Sequence, residues 1–398
     1  MGKKILLVSK FYYTRGGAEV VAINMANDLE KRGYEIGIFT MDYPQNLSPK
    51  NFYTASQVDF AGGMGEKIKF AMRTMGFQGI KSSFKKALHD FKPDIVHLHN
   101  VHSYLSPAVV KLAKQFGCKV VWTLHDYKLA CPAYSCLNRG KICEKCFTSK
   151  INVVKERCFK ESLPASVLAY FEAKKWNVKK LQQDVDYFIC PSSFIKRQML
   201  KAGLKDEKLK VVCNFVDPVK LDQLKNTKVS NTREEFYVYV GRLSDEKGVA
   251  TLLKAAKQLP HKLKLLGGGP LYDDLVFNYG NSEQIEFLGH QNAENVAAIL
   301  SKAKFLVLPS ECYENNPLSV IEALCAGIPI VGANIGGIPE LIDENSGVVF
   351  ESGNVEDLQR AISTMMQANK YNYAQIANMS QDRFSFDTHF KQLEKLYQ

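Results

Sequence analysis

Short apolar runs alternate with amphipathic helical stretches along almost the whole chain, and this alternation leaves few folds open. Residues 3–9, 35–40, 94–99 and 119–124 read as strands, with helices over 18–32 and 107–115. Two more strands are expected at 186–190 and 210–213, separated by a helix over 193–201. Strands joined through helices pair in parallel and build a doubly wound sheet. The pattern restarts at 236–240 and runs on through 262–266, 285–288 and 305–309, with a helix over 249–259. At 398 residues the chain is too long for one ordinary core. The reading is therefore two α/β domains, 1–217 and 235–380. A linker rich in Lys, Asn and Thr lies over 218–234, and 381–398 ends in a helix over 387–397.

Composition narrows the function classes. Hydrophobic residues at 46% and charged residues at 23% are those of a soluble globular protein. Met1-Gly2-Lys3-Lys4 runs straight into the first strand with no export-type apolar segment, and no uninterrupted apolar stretch is long enough to span a bilayer. A cytoplasmic protein with its ten cysteines reduced is expected. The net charge of +11 asks for an acidic partner, and the charge is clustered. Lys67, Lys69, Arg73, Lys81, Lys85 and Lys86 fall in one segment, and Lys150, Lys155, Arg157, Lys160, Lys174, Lys175, Lys179 and Lys180 in another. Apolar residues, including Phe171 and Trp176, interleave with them at helical spacing. Such segments suit either helices on an anionic membrane surface or plain solvated faces. No nucleic-acid module is recognisable, so no nucleic-acid partner is expected.

The densest chemistry lies in Ser310-Glu311-Cys312-Tyr313-Glu314-Asn315-Asn316-Pro317-Leu318-Ser319-Val320-Ile321-Glu322-Ala323. Pro317 suits a helix start, so the amides of Leu318 and Ser319 open the helix without intrahelical acceptors, a natural phosphate site. Glu314 precedes this point and Glu322 follows it by roughly a turn and a half. Carboxylates on either side of an anion site make sense if each accepts hydroxyl protons from an extended ligand. A nucleotide sugar fits, with its sugar on Glu314, its diphosphate on the amides and its ribose on Glu322. Upstream, a strand ends in Gly241-Arg242 and Lys247-Gly248 precedes a helix; downstream stands Gly336-Gly337-Ile338-Pro339-Glu340.

Together these motifs resemble those of retaining nucleotide-sugar glycosyltransferases of family 4, and the likeness covers essentially the whole chain. The resemblance implies the GT-B fold: two Rossmann-like doubly wound parallel-sheet domains facing across a cleft, the first on the acceptor side. The terminal helix would return to the first domain. Arg242 and Lys247 would neutralise the donor diphosphate, Glu314 would orient the sugar, and Asn316 would belong to the same donor site. Gly269, in Gly267-Gly268-Gly269-Pro270, would form a turn near the donor, and His290 would lie where the base sits. Catalysis would need no divalent cation. UDP-sugars are the favoured donors, with GDP-sugars as the alternative. Asn214-Phe215-Val216-Asp217 resembles the family's Asn-Gly-Val-Asp hinge, with Phe in place of Gly.

In the first domain, Gly16-Gly17 precedes a helix and lacks the G-x-G-x-x-G spacing of a dehydrogenase. It resembles the family's paired-glycine loop, which places Gly17 beside donor phosphate or acceptor. His97, His99 and His102 end a strand; His99 and His102 are candidate acceptor contacts, or else part of a buried histidine cluster. His125-Asp126 resembles the family's pair at the donor sugar, with His125 at the reacting centre and Asp126 a further acceptor candidate. Cys131, Cys136, Cys143 and Cys146 lie in a loop-rich insertion at about 130–160 and suit a structural zinc, or alternatively reduced buried thiols. The expectation is a retaining transferase moving sugar to a glycan or polyprenyl-linked acceptor, in cell-surface polysaccharide synthesis. A nucleotide-sugar epimerase and a catalytically silent carbohydrate-binding protein are the alternatives.

Overall fold

In the computed structural model, which describes residues 2–59, 61–77, 79–226, 229–230 and 232–398, the alternation resolves into two parallel sheets in two compact units. The first unit comprises Met1–Arg139, Cys143–Cys213 and Phe390–Gln398; the second comprises Gly140–Ile142 and Asn214–His389.

The first unit carries seven strands in the spatial order Phe52–Ala55, Glu35–Met41, Lys4–Val8, Ile95–Leu98, Lys119–Thr123, Tyr187–Cys190, Leu209–Val211. The pairings are parallel, in registers such as Ile5 against Ile36 on one side and Ile95 on the other. Ile5, Leu6, Leu7 and Val8 are all buried, because helices cover both faces. That explains why these strands read as continuous apolar runs and not as alternating ones. The order in which strands are added reverses between Lys4–Val8 and Ile95–Leu98, the kind of point at which loops leaving the carboxyl ends of open α/β sheets diverge.

The second unit carries six strands in the order Ile285–Gly289, Lys262–Leu266, Phe236–Val240, Leu306–Leu308, Ile330–Ala333, Gly347–Phe350. Its reversal falls between Phe236–Val240 and Leu306–Leu308. The segments leaving those two strands are 241–248 and 309–317, the two richest motifs of the sequence.

Local differences from the sequence reading have simple causes. Pro218–Asn226 is a helix, since Pro218 opens it and Leu221 is buried; composition alone suggested linker. Thr227, Lys228 and Asn231 of that expected linker lie outside the described residues, as does Met1. Phe215 stands where the resemblance anticipates Gly and fills a core position, its ring 4.6 Å from Phe386 and 4.7 Å from His389. No helix of the described residues is long and apolar enough to cross a membrane.

Candidate active site

At the second unit's reversal, backbone geometry decides which residues fit. Gly248 has φ +67, and a Cβ there would lie 1.9 Å from the Pro309 carbonyl oxygen. Gly336 has φ +62, and its Cβ would lie 2.3 Å from the Glu314 carbonyl oxygen, the same oxygen that accepts from Gly337 N–H at 2.7 Å. Only glycine meets both demands, left-handed backbone and contact with a neighbouring main chain. The two glycines thus press the 309–314 segment between the Lys247 turn and the 336–340 turn.

The side chains held there are mostly charged. Lys247 Nζ donates to Glu314 Oε1 at 2.5 Å, and Ser310 Oγ donates to the same oxygen at 2.9 Å. Burial alone would lower the Lys247 pKa, but Glu314, with Cys312 and Glu246, together more than offset it and the net shift is upward, so Lys247 stays charged. Burial and Glu314 push the Cys312 thiol up to about 12, leaving it inert. The helix Leu318–Cys325 follows, with Pro317 as N-cap and no side chain capping it. Its opening amides, Leu318 and Ser319, carry the positive end of the helix dipole. Glu322 lies on this helix and is paired by Lys220 Nζ at 2.5 Å.

Beside these groups, a cavity of about 350 Å³ is lined by Gly241, Arg242, Gly267, Gly268, His290 and Gln291. Gly269 does not line it; Gly269 packs against the Leu243 backbone instead. Arg242 is exposed, and its carbonyl accepts from the Tyr239 hydroxyl at 2.7 Å. Asn316 is buried and its side chain works inside the fold: its Oδ1 accepts from Asn214 N–H at 2.9 Å, and its carbonyl accepts from Asn214 Nδ2 at 3.0 Å.

The first unit gathers a different set. His97 is fully buried, with Nδ1 2.6 Å from the Tyr397 hydroxyl and Nε2 2.8 Å from Thr123 Oγ1. Its ring stacks on His99 at 4.7 Å, and His99 Nδ1 lies 2.9 Å from His125 Nε2. The buried-cluster reading is therefore the one the geometry shows for His97 and His99. Burial, with Lys10 nearby, lowers the His125 pKa to about 3, so the ring is neutral in the physiological range. One shared proton fixes its bond to His99 and leaves Nδ1 as its other polar atom. Burial raises the Asp126 pKa, while its Oδ1 accepts from Lys128 N–H at 2.9 Å. His102 is held well below its ordinary pKa by burial, Lys128 and Lys10. It sits 4.0 Å from Glu172, which pairs with Lys128 at 2.9 Å. Gly17 opens the helix Gly17–Lys31 on an extended, uncapped Gly16.

The zinc expectation finds no support in the cysteine geometry. Cys131, Cys136 and Cys146 are buried together, with the Cys136 and Cys146 thiols hydrogen-bonded to Cys131. These bonds lower the Cys131 pKa, while the Cys136 and Cys146 pKa values rise. Cys143 is half-buried and makes none of these thiol bonds. Among the described residues no group of three or more His, Cys, Asp or Glu is arranged to hold a metal ion.

Two residues escaped sequence reasoning. Lys220 partners Glu322 from a segment that composition marked as linker, and Lys10 affects His125 from a position carrying no motif. Neither has a sequence signal, because each meets its partner only after folding.

Comparison with known proteins places these sites in context. The family model described as Glycosyltransferase Family 4 matches residues 15–220, and that described as Glycosyl transferases group 1 matches residues 222–382. An uncharacterised 42.6 kDa protein in the cps region of Klebsiella pneumoniae is 26% identical, over 89% of this chain and 90% of that one. Among solved structures, the lipopolysaccharide outer core galactosyltransferase WaaB superposes with a TM-score of 0.67 at 18% identity, covering 99% of this chain and 98% of that one. The Anabaena protein HepE, in complex with UDP and glucose, superposes with a TM-score of 0.66 at 18% identity and the same coverage. Likeness at this identity shows the fold, GT-B.

Proposed function

The chain belongs to the group 1, family 4 glycosyltransferases, and from that membership we propose that it transfers a sugar, with retention, from a nucleotide-sugar donor to a glycan or polyprenyl-linked acceptor of cell-surface polysaccharide synthesis. The observation that carries the donor assignment is Lys247 paired to Glu314 beside the uncapped start of Leu318–Cys325. The diphosphate takes Lys247, Arg242 and the amides of Leu318 and Ser319; sugar hydroxyls take Glu314. The ribose takes Glu322, and the base enters the cavity lined by Gly241, Gly267, Gly268 and His290. Leaving-group charge is met by fixed cations and amides, which need no reorganisation as the bond breaks and make a divalent cation unnecessary. The neutral ring of His125 serves the reacting sugar as a hydrogen-bonding group and not as an acid. UDP-sugars are the favoured donors, in keeping with the ligands of HepE.

The test is a thermal-shift screen over UDP-, GDP- and ADP-sugars, followed by product analysis with and without acceptor. Stabilisation by one nucleotide class and acceptor-dependent release of that nucleoside diphosphate are expected. No stabilisation by any of them overturns the reading, and conversion of the sugar without acceptor points to an epimerase.

Membrane association is part of this proposal, supported by the helix Met64–Thr74. Met64 and Ile68 are 75% and 58% exposed, one turn apart, with Phe77 beyond them at 58%. Lys67 and Lys69 flank this apolar stripe. Trp176, expected as an inserted aromatic, is turned inward: its Nε1 donates to the Thr74 carbonyl at 2.9 Å, and Lys175 lies 3.7 Å over the Phe77 ring. Peripheral attachment at the cytoplasmic face predicts salt-sensitive binding to anionic and not to zwitterionic liposomes, weakened by Ile68→Glu. Equal binding to both, or to neither, removes it.

A further inference from the structure

At the first unit's reversal the loops carry rings where the second unit carries charges. Phe11 and Tyr13 follow strand Lys4–Val8, Tyr43 follows Glu35–Met41, and Tyr104 follows Ile95–Leu98. Tyr13 and Tyr43 stack with centroids 5.6 Å apart and planes 8° from parallel, and their hydroxyls are hydrogen-bonded. Phe11 is buried beneath, edge-on to both at 5.7 and 5.2 Å, and also touches Tyr104 at 5.7 Å. Tyr104 in turn rests on Phe70 at 5.3 Å, and the Arg15 guanidinium lies 4.4 Å over the Phe11 ring.

The arrangement is braced. Asn46 Oδ1 accepts from Tyr12 N–H at 2.9 Å, Asn46 Nδ2 donates to the Met41 carbonyl at 2.7 Å, and Leu47 N–H donates to the Tyr12 carbonyl at 2.8 Å. Two loops of different strands are thereby locked together beneath half-exposed phenol rings. Locking rings in place lowers the entropy lost when a ligand settles on them.

We propose that this ring cluster is the acceptor-sugar platform: Tyr13 and Tyr43, backed by Phe11 and Tyr104, hold one face of a pyranose of the acceptor glycan. The inference rests on the transferase reading above. A pyranose presents a face of C–H groups and a rim of hydroxyls, and braced phenols present a ring face and a hydroxyl rim in return. The hydroxyls of Tyr13 and Tyr43 bond to each other, and the donor and acceptor capacity they keep at the rim is matched by sugar hydroxyls and not by a purely apolar ligand. A phosphate would find only Arg15 among the groups of the cluster. The position, outside strand carboxyl ends at a reversal of strand order, is where open α/β sheets take ligands.

The experiment is saturation-transfer NMR with methyl β-D-glucopyranoside and methyl β-D-galactopyranoside, with UDP present in excess. Wild-type protein is expected to transfer saturation most strongly to H1, H3 and H5, which share one ring face in both probes. Tyr13→Ala/Tyr43→Ala should bind about three- to tenfold more weakly, as loss of aromatic contacts implies. Tyr43→Phe should keep most of the signal, because the ring face and not the hydroxyl does the stacking. Thermal stabilisation by UDP should be the same in all variants, which also shows that each is folded. If the alanine pair does not fold, Tyr43→Leu replaces it, keeping apolar volume while removing the ring. No saturation transfer to wild type, or an undiminished signal in the ring-less variants, overturns the platform. Absence of stabilisation by UDP, GDP and ADP alike in wild type defeats the transferase reading instead, and the sugar signal is read independently of it.

Discussion

Each unit has one point where its strand order reverses, and the two points are built from opposite materials. In the second unit the crevice holds Lys247, Glu314, Arg242, Lys220 and Glu322, set on backbone that only glycine can follow. In the first it holds neutral imidazoles and phenols, with His125 kept uncharged by burial and Lys10. Stabilising a phosphate leaving group calls for fixed cations at fixed spacing, and Arg242 and Lys247 stand within one short motif. Recognition of a neutral sugar calls for surfaces, and surfaces are assembled from distant segments.

The sharpest way to break the comparison is Lys247→Ala. If fixed charge is the second unit's contribution, kcat should fall about 10²–10³-fold, while circular dichroism shows an intact fold. Near-normal turnover would remove the phosphate assignment. Gly336→Ala tests the backbone half of the claim. Left-handed backbone and collision with the Glu314 carbonyl should cost about 1–3 kcal/mol in denaturant unfolding, and displacement of Glu314 should lower activity beyond that. An alanine variant as stable and active as wild type would show that the turn is not glycine-specific.

Tyr397→Phe probes the first unit, removing the hydroxyl that meets His97 Nδ1. A loss of about 0.5–1.5 kcal/mol is expected, with nucleotide stabilisation unchanged; altered UDP binding would contradict an effect confined to the histidine cluster. The mildest prediction concerns pH. His125 refuses a proton that the unfolded chain accepts, so its contribution is full above its ordinary 6.5 and lost progressively as pH falls toward about 3. Thermal unfolding between these limits should decline less steeply in His125→Asn than in wild type. Parallel curves would show that other groups set the acid response.

Legibility followed the same division. The sheets were readable because strands buried on both faces, such as residues 5–8, are uninterrupted apolar runs. Arg242 with Lys247, and Glu314 with Glu322, stood out because each pair falls within one short motif. The zinc expectation found no support, because cysteine spacing does not say which thiols meet, and only Cys136 and Cys146 bond to Cys131. Lys220 was masked by a composition that resembles linker, although Leu221 beside it is buried. The tyrosine platform left no local trace at all, since residues 13, 43 and 104 become neighbours only when three strands align.

The ion pair between Lys247 and Glu314 has a consequence for turnover. On the proposed reading, a complete donor separates the pair and supplies a new partner to each member, a phosphate for the ammonium and hydroxyls for the carboxylate. Once the sugar has left, the remaining nucleoside diphosphate can satisfy only the lysine, and Glu314 retains Ser310 alone. The carboxylate then draws Lys247 back. The spent nucleotide faces an internal competitor that the intact donor had disarmed, and its departure is favoured by the same two side chains that received it.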